Sequence, residues 1–127
     1  AVEHQYLITE KSDKVPPGLP TLRDPDNIFY LKPEPGALAI GGWERGTPTF
    51  GAAGVPFGFG RELFQPNQER LEAFLLPAAE RIPLLNELGI RTVINGPIPI
   101  SPDGEPIMGL APERDNFYVA CGFTSGI

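Results

Sequence analysis

The amino-acid sequence predicts an α+β fold, a mixed and mainly antiparallel sheet carrying two short helices. Three observations predict it. Short runs rich in β-branched and aromatic residues alternate with Pro- and Gly-containing turns, a single stretch after Asn67 carries apolar residues at helical spacing, and the C-terminal residues 116–127 are largely apolar.

The first strand is expected over residues 5–9, where Tyr6, Leu7, Ile8 and Thr9 follow one another between charged residues. Alternation along that strand puts His4 and Tyr6 on one face. Pro16-Pro17-Gly18 and Pro20 then form a loop, and the next element starts at Thr21. Ile28-Phe29-Tyr30-Leu31 and Leu38-Ala39-Ile40-Gly41-Gly42 flank Pro33-Glu34-Pro35-Gly36 and read as an antiparallel hairpin. Residues 44–60 are glycine-rich but carry Phe50, Phe57 and Phe59, a loop too apolar to be freely solvated.

Leu71, Phe74, Leu75 and Ala78 recur at helical spacing, with Asn67 placed to cap and Glu69 in the first turn. Pro77 should kink or divide this helix, and Pro83 suits the first turn of a second short one running to Leu88 and stopped by Gly89. Residues 90–94 and 98–100 are strand-like, and Ser101-Pro102-Asp103-Gly104 is a turn returning to a short strand over 106–110, a second hairpin. The run from Asn116 has the pattern of a fully buried parallel strand that passes into a small-residue turn, and Cys121 within it reads as a buried small residue.

The chain has 127 residues, the length of one domain able to bury a core, and a formal charge of −6. No Lys or Arg cluster offers a phosphate backbone or an anionic membrane a docking site. One cysteine, Cys121, cannot form an internal disulfide, and one histidine, His4, cannot build a multi-histidine metal site. No apolar stretch approaches the roughly 20 residues that span a bilayer, and residues 1–6 lack the features of a secretory leader. A soluble protein of the cytoplasm, or of the mitochondrial matrix in a eukaryote, is expected.

Several segments acquire meaning in their order and spacing. They are Glu3-His4-Gln5-Tyr6 with Leu22-Arg23-Asp24-Pro25-Asp26, then Gly41-Gly42-Trp43-Glu44, then Asn95-Gly96-Pro97 with Ser101-Pro102-Asp103-Gly104-Glu105-Pro106, and finally Gly122-Phe123-Thr124-Ser125-Gly126-Ile127. With them the chain resembles, nearly end to end, the dimethylglycine and sarcosine dehydrogenase branch of the FAD-dependent amine oxidoreductases of the D-amino acid oxidase-like superfamily. The resemblance implies that residues 1–95 are a substrate domain and residues 96–127 a C-terminal return segment to a Rossmann-like FAD domain. The Gly-x-Gly-x-x-Gly phosphate turn expected of that domain is not found in these residues, so the resemblance implies a fragment whose nucleotide-gripping half lies upstream.

The resemblance also implies FAD in the full-length protein and a small methylated amine or amino acid as substrate. Amine oxidation needs a neutral amine, a positioned carboxylate and support for charge at the flavin edge. Tyr6 can exchange a proton or hydrogen bond with substrate and His4 can set its protonation, so both are catalytic candidates. A strand ending in small residues suits the flavin edge, and by resemblance Gly122, Phe123, Thr124, Ser125, Gly126 and Ile127 contact the isoalloxazine ring. The family also places the Asp103–Gly104 turn beside the flavin. Trp43 and the loop phenylalanines could wall the pocket or pack under the loop. Arg23 offers a carboxylate fork, but with Asp24 and Asp26 adjacent a local ion pair is expected instead.

The function expected is C–N oxidation of an N-methylated glycine by a parent flavoenzyme, the fragment itself being inactive. Two alternatives stand beside it: a non-catalytic regulator resembling the regulatory subunit of pyruvate dehydrogenase phosphatase, and a stand-alone binding domain. With parallel neighbours absent, the C-terminal strand is expected to pair locally, pair with a second copy or be poorly ordered.

Overall fold

In the computed structural model, which describes residues 1–124, the first strand extends further upstream than its apolar run alone indicates. β1 spans Val2–Thr9 because both its edges are paired, by β4 and by β5. β2 (Leu22–Asp24), β3 (Phe29–Glu34), β4 (Ala37–Gly42) and β5 (Ile90–Ile98) complete a five-stranded sheet of order β2-β3-β4-β1-β5. Every pairing in it is antiparallel. The expected β3–β4 hairpin closes through Pro35 and Gly36, with Gly36 in the left-handed region at φ +71°.

One face of the sheet is the core. Leu22, Leu31, Ile40, Leu7 and Val93 form a cross-strand row, and α1 (Gln68–Arg81) lays Leu71, Phe74 and Ala78 on this side. Asn67 caps α1 as its position indicates, its side chain accepting the Arg70 N–H at 3.0 Å. Gln5 from the sheet accepts the Asn67 N–H at 2.7 Å, which fixes the helix start against β1.

Pro77 does not divide the helix. The bond it removes would end on the carbonyl of Ala73, and both residues line an open groove where water can serve that oxygen. The second helix begins at Pro83 as expected but is a 3₁₀ turn over Pro83–Glu87, with Leu85 buried.

The second hairpin differs from expectation. β5 runs unbroken to Ile98, with Pro97 tolerated opposite Glu3 on what is an edge strand. Residues 99 and 100 lie outside it, and residues 101–105 bond to one another, Ser101 Oγ donating to the Glu105 carbonyl at 2.6 Å. β6 (Ile107–Leu110) instead pairs antiparallel with β7 (Tyr118–Cys121), Ile107 opposite Cys121 and Leu110 opposite Tyr118. The C-terminal strand is therefore neither parallel nor buried, and Cys121 is exposed, because no second layer covers this two-stranded sheet among the described residues. No described helix is long and apolar enough to cross a membrane.

Candidate active-site cleft

Four consecutive residues at the end of β4 organise the region, alternating between the two faces of the sheet. Gly42 and Glu44 serve the core side and Gly41 and Trp43 the open side. A Cβ on Gly42 would stand 2.4 Å from Cβ and Cγ of Phe74, so the helix packs where it does only because position 42 lacks a side chain. A Cβ on Gly41 would stand 2.3 Å from the Tyr30 ring carbon Cζ and from its hydroxyl. The Tyr30 ring thus lies flat over Gly41, directed toward β1.

The open face carries a cross-strand row in which Arg23, Tyr30, Gly41, Tyr6 and Ile94 stand opposite one another in turn. Lying over Gly41, the Tyr30 hydroxyl comes within 2.9 Å of His4 Nε2, the donor being set by the histidine tautomer. Trp43 stacks on His4 with ring centroids 4.3 Å apart. His4, Tyr6, Tyr30, Trp43, Arg23 and Thr124 share a cleft of about 440 Å³. Both predicted catalytic residues are therefore brought together on one wall.

Burial lowers the His4 pKa from its ordinary value; the Glu44 carboxylate opposes this and Arg70 reinforces it. Burial also pushes the Tyr30 hydroxyl up to about 12, with Tyr6 adding to the rise and Arg23 opposing it. At neutral pH the pair is an uncharged imidazole and an uncharged phenol, able to receive a proton and to donate a hydrogen bond respectively.

Beneath the cleft, Arg70 joins helix to sheet. Its Nη1 donates to Glu3 Oε2 at 2.6 Å and its Nε to Glu44 Oε1 at 2.7 Å. Asn95 Nδ2 donates to Glu3 Oε2 at 3.1 Å and to the Gln65 carbonyl at 2.9 Å. The Asn95-Gly96-Pro97 and Gly41-Gly42-Trp43-Glu44 segments thus meet in one buried polar network.

Of the predicted cofactor-contacting residues, Thr124 reaches the cleft, donating from Oγ1 to the Pro99 carbonyl at 3.2 Å. Gly122, at φ +76°, passes beside the 101–105 turn, where a Cβ would be 3.6 Å from that of Ser101. Asp103 and Gly104 lie in that turn. Asp103 Oδ1 accepts from the Glu105 N–H at 3.1 Å and from Ser101 Oγ at 3.0 Å, which holds its carboxyl below the usual carboxylate range. Neither Asp103 nor Gly104 lines the cleft. Ser125, Gly126 and Ile127 lie outside the described residues. Among the described residues no group of three or more His, Cys, Asp or Glu side chains is placed to hold a metal ion.

The family model of the FAD dependent oxidoreductases, DAO, matches residues 1–127. The chain belongs to this family. Mitochondrial dimethylglycine dehydrogenase of Mus musculus is 38% identical over 134 residues, covering 99% of this chain and 15% of that protein. Mitochondrial sarcosine dehydrogenase of Homo sapiens is 34% identical over 125 residues, covering 98% of this chain and 13% of that protein. The mitochondrial pyruvate dehydrogenase phosphatase regulatory subunit of Mus musculus is 28% identical over 127 residues, covering 98% of this chain and 14% of that protein. The chain therefore spans a small part, 13–15%, of the length of these relatives.

Tyr30 and Arg23 line the cleft but are not among the site residues that the sequence predicts. Tyr30 was readable, because a two-residue turn at 35–36 sets Glu34 opposite Ala37 and hence Tyr30 opposite Gly41. The sequence places Arg23 in a local ion pair with Asp24 or Asp26, yet among the described residues it joins none. Asp24 points to the other face, where it accepts from Asn27 and lies 3.4 Å from Arg81 Nε. The loop aromatics divide. Trp43 lines the cleft, Phe50, Phe59 and Phe64 cluster together with centroids 4.6 to 5.9 Å apart, and Phe57 is exposed.

Proposed function

We propose that these residues form the substrate wall of a flavoenzyme that oxidises the C–N bond of an N-methylated glycine of the dimethylglycine or sarcosine type. The observation that carries this reading is the neutral His4–Tyr30 pair held under Trp43, with Tyr6 beside it, on an open sheet face. Aromatic faces attract a methylated ammonium. Uncharged His4 can take the ammonium proton so that the lone pair is free, while the Tyr30 hydroxyl orients the nitrogen. The C–N bond is then oxidised to an iminium, which water hydrolyses to formaldehyde and the demethylated amine.

The cleft is open, with His4, Tyr6, Tyr30 and Trp43 in its lining and Thr124 at its margin, and would admit the flavin ring of FAD. Gly122, Phe123 and Thr124 would border FAD there, and the family likeness assigns the same role to Ser125, Gly126 and Ile127 and to the Asp103–Gly104 turn, which Gly122 approaches at Ser101 and Glu105. Bound FAD supplies the two-electron acceptor, taking a hydride equivalent from the carbon next to nitrogen. In this reading residues 1–95 belong to a substrate domain and residues 96–127 return to a Rossmann-like FAD domain, and the 127 residues alone do not turn over. The exposed β6–β7 sheet would support self-association of the isolated chain. The names of the mitochondrial relatives favour a mitochondrial location if the source is eukaryotic.

The test is anaerobic mixing of the full-length flavoprotein with dimethylglycine or sarcosine while flavin absorbance is followed. Bleaching that falls on the order of 10²-fold or more in Tyr30→Phe and His4→Gln is expected. Absence of bleaching with every N-methylated amine, in a protein that holds FAD, would overturn the enzymatic reading. That outcome would favour a regulator, the reading supported by the regulatory-subunit relative.

A further inference from the structure

Beyond Gly41 the chain leaves its pairing with β1. The register of β1 and β4 runs from Ile8 opposite Ala39 to Tyr6 opposite Gly41 and ends there. Nearer its start, β1 engages a different segment on this side, the Glu3 N–H donating to the Pro48 carbonyl at 3.0 Å and Val2 bridging to Thr49. The Trp43 N–H donates to the Ile28 carbonyl at 2.9 Å, on the β3 side. Yet it is here, past the end of the ladder, that His4 and Trp43 stack with centroids 4.3 Å apart. Ring stacking alone is too weak to fix the spacing of two chain segments that share no backbone pairing.

Arg70 crosses that gap on the core side. Its Nη1 donates to Glu3 Oε2 at 2.6 Å and its Nε to Glu44 Oε1 at 2.7 Å. Glu3 immediately precedes His4 and Glu44 immediately follows Trp43, so alternation puts the two carboxylates on one face of the sheet and the two rings on the other. The tie starts from a fixed point, because the Asn67 side chain accepts the Arg70 N–H at 3.0 Å and Gln5 Oε1 accepts the Asn67 N–H at 2.7 Å. Asn95 Nδ2 steadies the far end, donating to Glu3 Oε2 at 3.1 Å. A rigid planar guanidinium serves two carboxylates in set directions, which an ammonium on a flexible stem does not. Arg70 itself does not line the cleft.

We propose that Arg70 is a positioning residue for the cleft: by tying Glu3 to Glu44 beneath the sheet it sets the spacing of His4 and Trp43 above it, and with that the His4–Tyr30 contact. The inference rests on the functional reading above. It adds a residue that acts on the reaction through His4 without touching the substrate.

The test uses the full-length flavoprotein. Arg70→Lys keeps the positive charge that bears on His4 but not the fork, and Glu3→Ala removes one arm while leaving the Glu44–Arg70 ion pair. Leu85→Ala, which truncates a buried side chain in the 3₁₀ turn outside this network, controls for lost stability. The limiting rate of flavin reduction by dimethylglycine is measured anaerobically, well below each thermal midpoint, in the wild-type and His4→Gln backgrounds. Expected for Arg70→Lys and for Glu3→Ala is a fall of about 10-fold in the wild-type background and less than about 2-fold in His4→Gln, with Leu85→Ala little changed in either. Equal falls in both backgrounds, an equal fall in Leu85→Ala, or an unchanged rate in the folded variants overturns the proposal; Glu3→Ala decides if Arg70→Lys does not fold. A second measurement requires no turnover: modification of His4 by diethyl pyrocarbonate, read by peptide mapping, should be faster by about 5-fold or more in both variants and not in Leu85→Ala. Should wild type reduce no flavin with any N-methylated amine, the enzymatic reading fails by itself and the labelling decides Arg70: rates equal to wild type overturn its role, and faster rates confined to the two network variants sustain it.

Discussion

The ring of Tyr30 occupies the volume that a side chain at Gly41 would fill, the Tyr30 Cζ lying 2.3 Å from where a Cβ would stand. One residue on, Gly42 makes the same concession to Phe74 on the other face. Gly41→Ala and Gly42→Ala should therefore separate site from core. Each crowds a packed position and costs about 1–3 kcal/mol of stability. Gly41→Ala additionally pushes Tyr30 away from His4, so kcat/KM of the full-length protein falls further than stability accounts for. Gly42→Ala should lower the thermal midpoint while sparing the His4–Tyr30 pair. Chemical denaturation paired with steady-state kinetics checks this.

His4 should make folding stability depend on pH. Burial lowers its pKa in the native state, whereas in the unfolded chain it titrates near its ordinary value of about 6.5. As pH falls through about 6.5 the unfolded chain binds a proton that the native chain does not. Native stability is thus fully present above 6.5, declines as pH falls toward the lowered native value, and changes no further from this group below that value. His4→Gln should flatten the slope just below pH 6.5. Urea denaturation of both proteins between pH 8 and 5 reads the difference, and identical slopes would count against a buried neutral His4.

Arg70 has two carboxylates on its guanidinium, Glu3 and the deeply buried Glu44. Arg70→Met should cost about 3–5 kcal/mol, because it leaves Glu44 buried without a counter-charge. Pairing it with Glu44→Gln should recover a large part of that loss, since the unpaired charge is then gone. A double-mutant cycle by denaturation measures the coupling. An additive cycle would mean that the network contributes nothing beyond packing.

Much of this site was legible because strands alternate and short turns fix register. Period two put His4 and Tyr6 on one face, and the same rule places Asp24 and Arg23 on opposite faces, so proximity in sequence misled where alternation would have excluded their pairing. The helix start was readable from Asn67, whose cap geometry depends only on local residues. The β6–β7 pairing was not. Its connection closes with the Ala111 N–H donating to the Phe117 carbonyl at 2.8 Å, and its left-handed residues are Glu113 (φ 60°) and Asn116 (φ 56°), so no glycine marks the turn. Conversely, Ser101-Pro102-Asp103-Gly104 has hairpin composition but spends its bonds within itself. Composition identifies a turn; it does not say which strands the turn joins.

Cys121 offers a probe of the proposed return of residues 96–127 to an FAD domain. It is exposed on β7, opposite Ile107, on a sheet whose Ile107, Met108, Leu110 and Tyr118 are also exposed. An apolar two-stranded sheet with no layer over it among the described residues is not stable alone in water, and in the proposed arrangement the FAD domain packs against it. The isolated 127-residue chain should therefore react with a maleimide at a rate near that of an unfolded cysteine. The full-length flavoprotein should protect Cys121 by about 10-fold or more, since alkylation needs solvent access to the thiolate. Peptide mapping after timed labelling identifies the residue. Equal rates in the two proteins would mean that residues 96–127 remain exposed in the full-length protein, and the return-segment assignment would fall with that result.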